Sequence, residues 1–191
     1  MENSVRSERT RNAVLQAALT IIARDGPGRL TLDAIVKESG MSKGALLHHF
    51  HNKSAVMAAL LAYQTEQFEE ASRHFLAENE DALAYPQLAA QIDTLRQTLT
   101  RQRAIAFAVF AVVAENPDLL SSAREHSAKT VAKIKAEATD PDLALLRWAA
   151  ARGLAVTELL GMCPLSQEDR DRLFDRLFDD DRWTGCQSSA L

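Results

Sequence analysis

An all-α fold is predicted by three observations. Apolar residues recur three and four positions apart along most of the chain, the spacing of one helix face. No stretch alternates apolar and polar residues as a half-buried strand would. Ser, Thr, Asp or Asn stands just before several periodic segments and Gly or Pro just after them, which is how helices start and stop. The 191 residues are 47% hydrophobic and 25% charged, enough for a real core and not the composition of a disordered chain. The apolar run AIAFAVFAVVA, Ala104 to Ala114, is too short to span a bilayer and reads as a buried helix. The N-terminus carries arginines but no apolar signal region, so a cytoplasmic protein with no membrane partner is expected. Cys163 and Cys186 are far apart, form no metal-type pair, and read as free thiols in a reducing compartment.

The first helix is predicted from about Thr10 to Asp25, with Val14, Ala17, Ala18, Ile21 and Ile22 on one face. Residues 1–9 read as a polar tail, in which Arg6 and Arg9 either stay solvated or, with Arg11, reach along a phosphate backbone. Gly26-Pro27-Gly28 ends the helix. Thr31 caps a second helix, with Asp33 at the positive end of its dipole and Leu32, Ile35 and Val36 facing inward. Ser39-Gly40 stops it, and Met41 plugs an apolar gap. Ser42 is the next cap, and a third helix runs from Lys43 to about Phe50. Leu46 and Phe50, four apart, share its buried face, leaving Lys43, Gly44, Ala45, Leu47, His48 and His49 wholly or partly outward. Asn52 then caps a further helix with Lys53 first in it, so a helix N-terminus and an ammonium point at one anion site.

Two short helices joined by a glycine turn form the helix-turn-helix pattern, whose second helix enters the major groove of DNA. Three features favour that reading over a helical hairpin that merely packs. Gly44 removes a side chain where backbone must approach the duplex. The exposed side carries a lysine and two histidines rather than Glu/Lys pairs. Asn52-Lys53 supplies a phosphate site. Charge agrees: residues 1–55 hold eight Lys/Arg against five acids, a net of +3, which leaves −7 for the remainder of a chain whose total is −4. No nucleophile–base–acid set or phosphate-binding glycine loop is found, so no catalytic residue, enzyme activity or cofactor is expected. His48 and His51 are three apart but lack a third ligand in sequence, so no metal is expected either.

Residues from about 10 to 56 resemble the DNA-binding domain of the TetR family of bacterial repressors. The match is carried by AVLQAALTIIARDG and LTLDAIVKESGMSKGALLHHFHNKSAVMAAL, in particular Thr31, Gly40-Met41, Ser42-Lys43-Gly44-Ala45-Leu46, His49-Phe50 and Asn52-Lys53. One departure stands out: Leu47 occupies the position usually held by a tyrosine that contacts the phosphate backbone, so that contact is lost or passes to a neighbour such as His48. The resemblance implies a homodimeric repressor of a near-palindromic double-stranded operator, released by a small-molecule effector. It assigns DNA contacts to Thr31, Ser42, Lys43, Gly44, Ala45, Leu47, His48, His49 and Lys53. The organisation expected is a three-helix helix-turn-helix domain at 1–53, joined by a long helix to a helical effector-binding and dimerisation domain at 54–182, with a polar tail at 183–191.

In the body, a long helix is predicted from Lys53 to about Glu78, another from Gln87 to about Gln102, then the apolar run, then Asp118 to about Ala138. Thr139-Asp140-Pro141 opens a helix to about Gly161, and Ser166 opens the last. Tyr85, Phe107, Phe110 and Trp148 are candidates to line a pocket for an apolar or aromatic molecule, though each also fits a plain core position. Small residues near Ala150, Gly153 and Thr157, and the stripe Leu173, Phe174, Leu177 and Phe178, mark the last two helices as the expected dimer surface. From pattern alone, packing within one chain explains that stripe as well; the resemblance implies pairing. A sequence-tolerant, nucleoid-type DNA-binding protein without an effector is the alternative. It is left open by the small side chains at Gly44 and Ala45, but gives the long body no role.

Overall fold

The computed structural model describes residues 2–79, 82–101 and 117–184, and all regular structure among them is helical. The order is α1 (Glu2–Asp25), a 3-10 turn (Pro27–Arg29), α2 (Leu32–Ser39), α3 (Lys43–His49), α4 (Lys53–Asn79) and α5 (Pro86–Arg101). A second 3-10 turn (Pro117–Leu120) follows, then α6 (Ser121–Glu137), α7 (Pro141–Leu159), α8 (Gln167–Phe178) and α9 (Asp181–Thr184). The apolar run at 104–114, with Phe107 and Phe110, lies outside the described residues. One expectation is corrected at the start. The first helix begins at Glu2, not near Thr10, because residues 2–9 contain neither Gly nor Pro and nothing interrupts the helix before Gly26.

The described residues fall into two compact units. The first holds residues 2–66 with 117–124. Its core is Val14, Leu15, Ala18, Ile21 and Ile22 of α1, Leu30, Ile35 of α2, Leu46 and Phe50 at α3, and Val56, Met57, Leu60 and Leu61 of α4. Each large side chain buried this fully contributes about 1.5–3 kcal/mol of transfer free energy. The helices α2 and α3, only eight and seven residues long, are therefore held by packing rather than by helix propensity.

The second unit is built from residues 67–79, 82–101 and 125–184. Leu88, Ile92 and Leu95 of α5 pack with Ile134 of α6, Ala144, Ala151 and Ala155 of α7, and Phe174 and Leu177 of α8. The alanines let α5 approach α7 along its length. Within the predicted Thr139-Asp140-Pro141 opening it is Asp140 that caps α7, accepting from Leu143 N–H at 3.0 Å, with Pro141 at the first helical position. Ser166 likewise caps α8, accepting from Asp169 N–H at 3.1 Å.

Two polar devices join these helices. The Glu137 carboxylate at the end of α6 accepts from the N–H groups of Gln87 and Leu88 at 2.9 and 2.8 Å, capping α5 from another helix. Burial pushes the Glu137 carboxyl above its ordinary value against the pull of those two donors. Arg147 of α7 is 3% exposed. It donates from Nε and Nη2 to the Leu177 carbonyl at 2.9 and 2.6 Å and from Nη2 to Asp180 at 2.7 Å, closing the C-terminal end of α8.

This packing bears on two residues of the expected dimer surface. Phe174 and Leu177 are 1% and 7% exposed within a single chain, so they have almost no surface to offer a partner. Within one chain α5 and α7 cover these two residues of the stripe, while Leu173 and Phe178 stay half-buried.

Replacing Arg147 by alanine is expected to destabilise the fold by about 3 kcal/mol, because Asp180 and the Leu177 carbonyl lose their cation. Urea denaturation measures this, and a loss under about 1 kcal/mol would show the buried pair to be dispensable.

Candidate nucleic-acid interface

The α2–turn–α3 segment is shaped by two side-chain caps and one glycine. Thr31 is extended at φ −134°, ψ 159°, and its Oγ1 accepts from Ala34 N–H at 3.1 Å. Gly40 closes α2 at φ 68° with its N–H on the Val36 carbonyl at 3.0 Å, a left-handed conformation that side chains with a Cβ resist. Met41 packs against the core, as expected. Ser42 then starts α3, accepting from Ala45 N–H at 3.2 Å.

Leu46 is wholly buried and Phe50, 5% exposed, closes the helix with its N–H on the Leu46 carbonyl at 2.9 Å. With α3 pinned from inside by these two residues, its other side faces solvent. Ser42, Lys43, Gly44, Leu47 and His48 are exposed, while Ala45 and His49 are half-buried. The His48 and His49 rings meet edge to face at 5.1 Å. Leu47, 37% exposed, is a large apolar side chain with no hydrogen-bonding group on a surface otherwise polar or small. The Thr31 and Ser42 hydroxyls accept in the caps and each keeps its O–H to donate outward. Asn52 caps α4 by accepting from Ala55 N–H at 2.8 Å, and half-buried Lys53 stands first in that helix. The structure therefore brings all nine DNA-contact candidates onto two adjoining helices and the start of a third, at or near the surface.

One contact is not visible in the sequence pattern. Lys43 Nζ lies 2.8 Å from Asp33 Oδ1, an ion pair between the first turns of α3 and α2 with both side chains well exposed. Sequence spacing alone gives no sign of it, because it spans ten residues and depends on the turn.

Of the effector candidates, only Tyr85 and Trp148 lie among the described residues, and they do not line one cavity there. The Tyr85 hydroxyl is 2.7 Å from Thr139 Oγ1, beside a cavity of about 40 Å³ lined by Asp140, Leu143, Arg147 and Trp183. That is room for a water, not for a drug-sized molecule. Trp148 is half-buried and not in that lining; the Arg152 guanidinium lies 4.7 Å from its ring centroid.

Of the remaining dimer candidates, Ala150 and Gly153 are exposed on α7, while Thr157, Leu173 and Phe178 are half-buried. The Thr157 hydroxyl donates to the Gly153 carbonyl at 2.7 Å, and the Phe178 ring meets Phe75 at 6.0 Å. Sequence reasoning missed the larger apolar groups on the same face. Leu146 and Val156 are 67% and 40% exposed and fall in helical register with Ala150 and Gly153, and Met162 beyond the helix is 70% exposed. Their three- and four-residue spacing is the signal that could have found them. Among the described residues no helix is long and apolar enough to cross a membrane, and no group of three or more His, Cys, Asp or Glu is placed to hold a metal ion.

A glycine turn, two capped short helices and a second helix pinned from within define a helix-turn-helix protein. The sequence profile of bacterial regulatory proteins of the tetR family matches residues 14–60, and that of the tetracyclin repressor-like C-terminal domain matches residues 86–180. The chain belongs to the TetR family of bacterial transcriptional regulators. It is 32% identical over 68 residues to the HTH-type transcriptional regulator SrpR of Pseudomonas putida, a match covering 36% of this chain and 32% of that one. It is 31% identical over 68 residues to the HTH-type transcriptional regulator TtgW, also of Pseudomonas putida, covering 36% and 51%. These matches thus span a third to a half of the relatives' lengths. Among solved structures, a transcriptional regulator from Rhodococcus sp. Rha1 superposes with a TM-score of 0.72 at 18% identity, covering 92% of this chain and 96% of that one. The multidrug binding protein EbrR complexed with malachite green gives 0.65 at 21% identity, covering 88% and 98%. At these identities the structures establish the fold.

A Cβ added at Gly44 meets nothing within 4 Å, and the residue is helical without a positive φ. Gly44→Ala is therefore expected to raise folding stability by about 0.5–1 kcal/mol, read as a higher midpoint in thermal unfolding; a lowered midpoint would contradict the open surroundings found there.

Proposed function

We propose that this protein is an effector-responsive transcriptional repressor that binds a near-palindromic operator as a homodimer in the cytoplasm. The observation that carries the reading is the two-faced character of α3. Leu46 and Phe50 lock one side into the core, while Lys43, Gly44, Leu47 and His48 face solvent with no packing duty. In this reading Lys43 hydrogen-bonds a guanine edge, Ala45 packs on a thymine methyl, and His48 touches a base or phosphate. Thr31, Ser42, His49 and Lys53 fix the helix on the phosphate backbone. Leu47 supplies apolar contact but no donor there.

Dimerisation follows from what two recognition helices need: successive major grooves about 34–36 Å apart. The exposed face of α7, with Leu146, Ala150, Gly153 and Val156, is the surface proposed to pair, small residues allowing close approach between copies. The effector proposed is an apolar or aromatic small molecule, a class supported by EbrR, whose structures contain malachite green and ethidium. Its effect on DNA binding is bounded by its difference in affinity for the DNA-competent and DNA-incompetent states of the dimer.

Selection from a random duplex library is expected to return an inverted repeat. No shared sequence among the survivors would instead favour the nucleoid-type reading. On the selected duplex, Lys43→Ala is expected to relax base preference at one position. Lys53→Ala should weaken all duplexes alike and reduce the salt slope by about one. Unchanged affinity and preference after Lys43→Ala, in a gel-shift series, would remove Lys43 from the reading surface. Gly44→Ala should lose duplex affinity while folding stability rises, which separates close approach from structural damage. Val156→Glu together with Leu146→Glu should convert the dimer to monomer in sedimentation velocity; a dimer that survived both would place the interface elsewhere.

A further inference from the structure

The Lys43–Asp33 pair is oddly placed for a stabilising contact. Lys43 is the first residue of α3, where an ammonium opposes the positive end of the helix dipole. Its Nζ is drawn to Asp33 Oδ1 at 2.8 Å, with side-chain exposures of 61% and 78%. Pairs this exposed add little to stability, and α2 and α3 are already fixed by Ile35, Leu46, Phe50 and the Gly40 turn. Asp33 also lies two residues after Thr31, in the α2 turn whose N-terminus is proposed to face phosphate. A carboxylate there repels the backbone it approaches. Asp33 suits the positive end of the α2 dipole, but the pair itself adds little as glue, and as a phosphate neighbour the carboxylate is unfavourable.

We propose that Asp33 is a specificity-determining positioning residue that acts through Lys43; this rests on the reading of α3 as the DNA-contacting helix. An unrestrained lysine is a point charge on a flexible four-carbon stem and turns to the nearest phosphate, a contact that carries no sequence information. Asp33 takes one of the three ammonium donors and holds the stem across the turn, leaving two donors for a base edge. Its charge disfavours every duplex, and Lys43 offsets that cost only where a base presents an acceptor, as guanine does with O6 and N7. Asp33 thus lowers sequence-blind binding more than it lowers operator binding.

The test uses the full chain with Asp33→Asn and Asp33→Glu, each alone and with Lys43→Ala, on the selected duplex and on a scrambled one. Thermal melts confirm that each variant is folded. Asp33→Asn is expected to raise affinity for the scrambled duplex by about threefold to fivefold, the scale of one exposed charge pair, with a smaller gain on the selected duplex, so that the preference ratio falls. Asp33→Glu should keep the ratio within about twofold of the parent. In the Lys43→Ala background, Asp33→Asn should leave the ratio unchanged. Equal gains on both duplexes would reduce Asp33 to general repulsion and overturn the inference. So would a fall in the ratio that persisted without Lys43. In either case the parent still prefers its selected duplex and the DNA-contacting role of α3 stands. A parent without any preference would overturn the sequence-reading role of α3, and this inference with it.

Discussion

The insertion of Leu46 and Phe50 into the core of the first unit is the contact on which the rest of the site depends. Both are nearly inaccessible to solvent, and they anchor a helix of seven residues. A helix of that length has too few internal hydrogen bonds to persist alone. Its orientation is therefore set by what it buries. With Leu46 on the inner side, the 3.6-residue period leaves Gly44, Leu47 and His48 on the outer one, and Lys43, three before Leu46, is exposed because it opens the helix. The Gly40 turn and the Thr31 and Ser42 caps serve that orientation by bringing α3 off α2 at a fixed angle while satisfying backbone groups at the helix ends. Specific chemistry on the outer face is possible because the inner face is rigid.

The second unit solves a different problem, the closing of helix ends away from water. Glu137 caps α5 across a helix junction, and Arg147 closes α8. Each replaces a local cap by a charged group from another helix, which ties the termini to the tertiary arrangement. Small alanines on α7 permit the approach of α5 and leave the opposite face of α7 with Leu146, Gly153 and Val156 in solvent. One helix thus serves a core on one side and, on the reading proposed, a second copy on the other.

Much of this is legible in the sequence where the physics is local. Thr31, Ser42 and Ser166 are predicted to open helices, as is Thr139-Asp140-Pro141, and Thr31, Ser42, Asp140 and Ser166 each accept from the N–H three residues on. The turn at Gly40 and the inward Leu46 follow from glycine's conformational freedom and helical period. What stays hidden depends on distant partners. The Lys43–Asp33 pair and the Arg147 closure join residues ten and thirty or more apart. Phe174 and Leu177 read as an unpartnered stripe because pattern cannot tell an intramolecular partner from a second copy, and α5 and α7 cover them. The start of α1 lies earlier than its apolar pattern suggests, because a polar composition does not prevent a helix and no residue there breaks one.

The central claim is that the outer face of α3, held from within, is where this protein meets DNA. Amide hydrogen exchange of the full chain with and without its selected duplex tests it most directly. The account predicts new protection concentrated at residues 31–33 and 42–54, the exposed starts of α2, α3 and α4, with little change in the core amides of α1. Protection confined to α7 and α8, with none at 42–54, would contradict it.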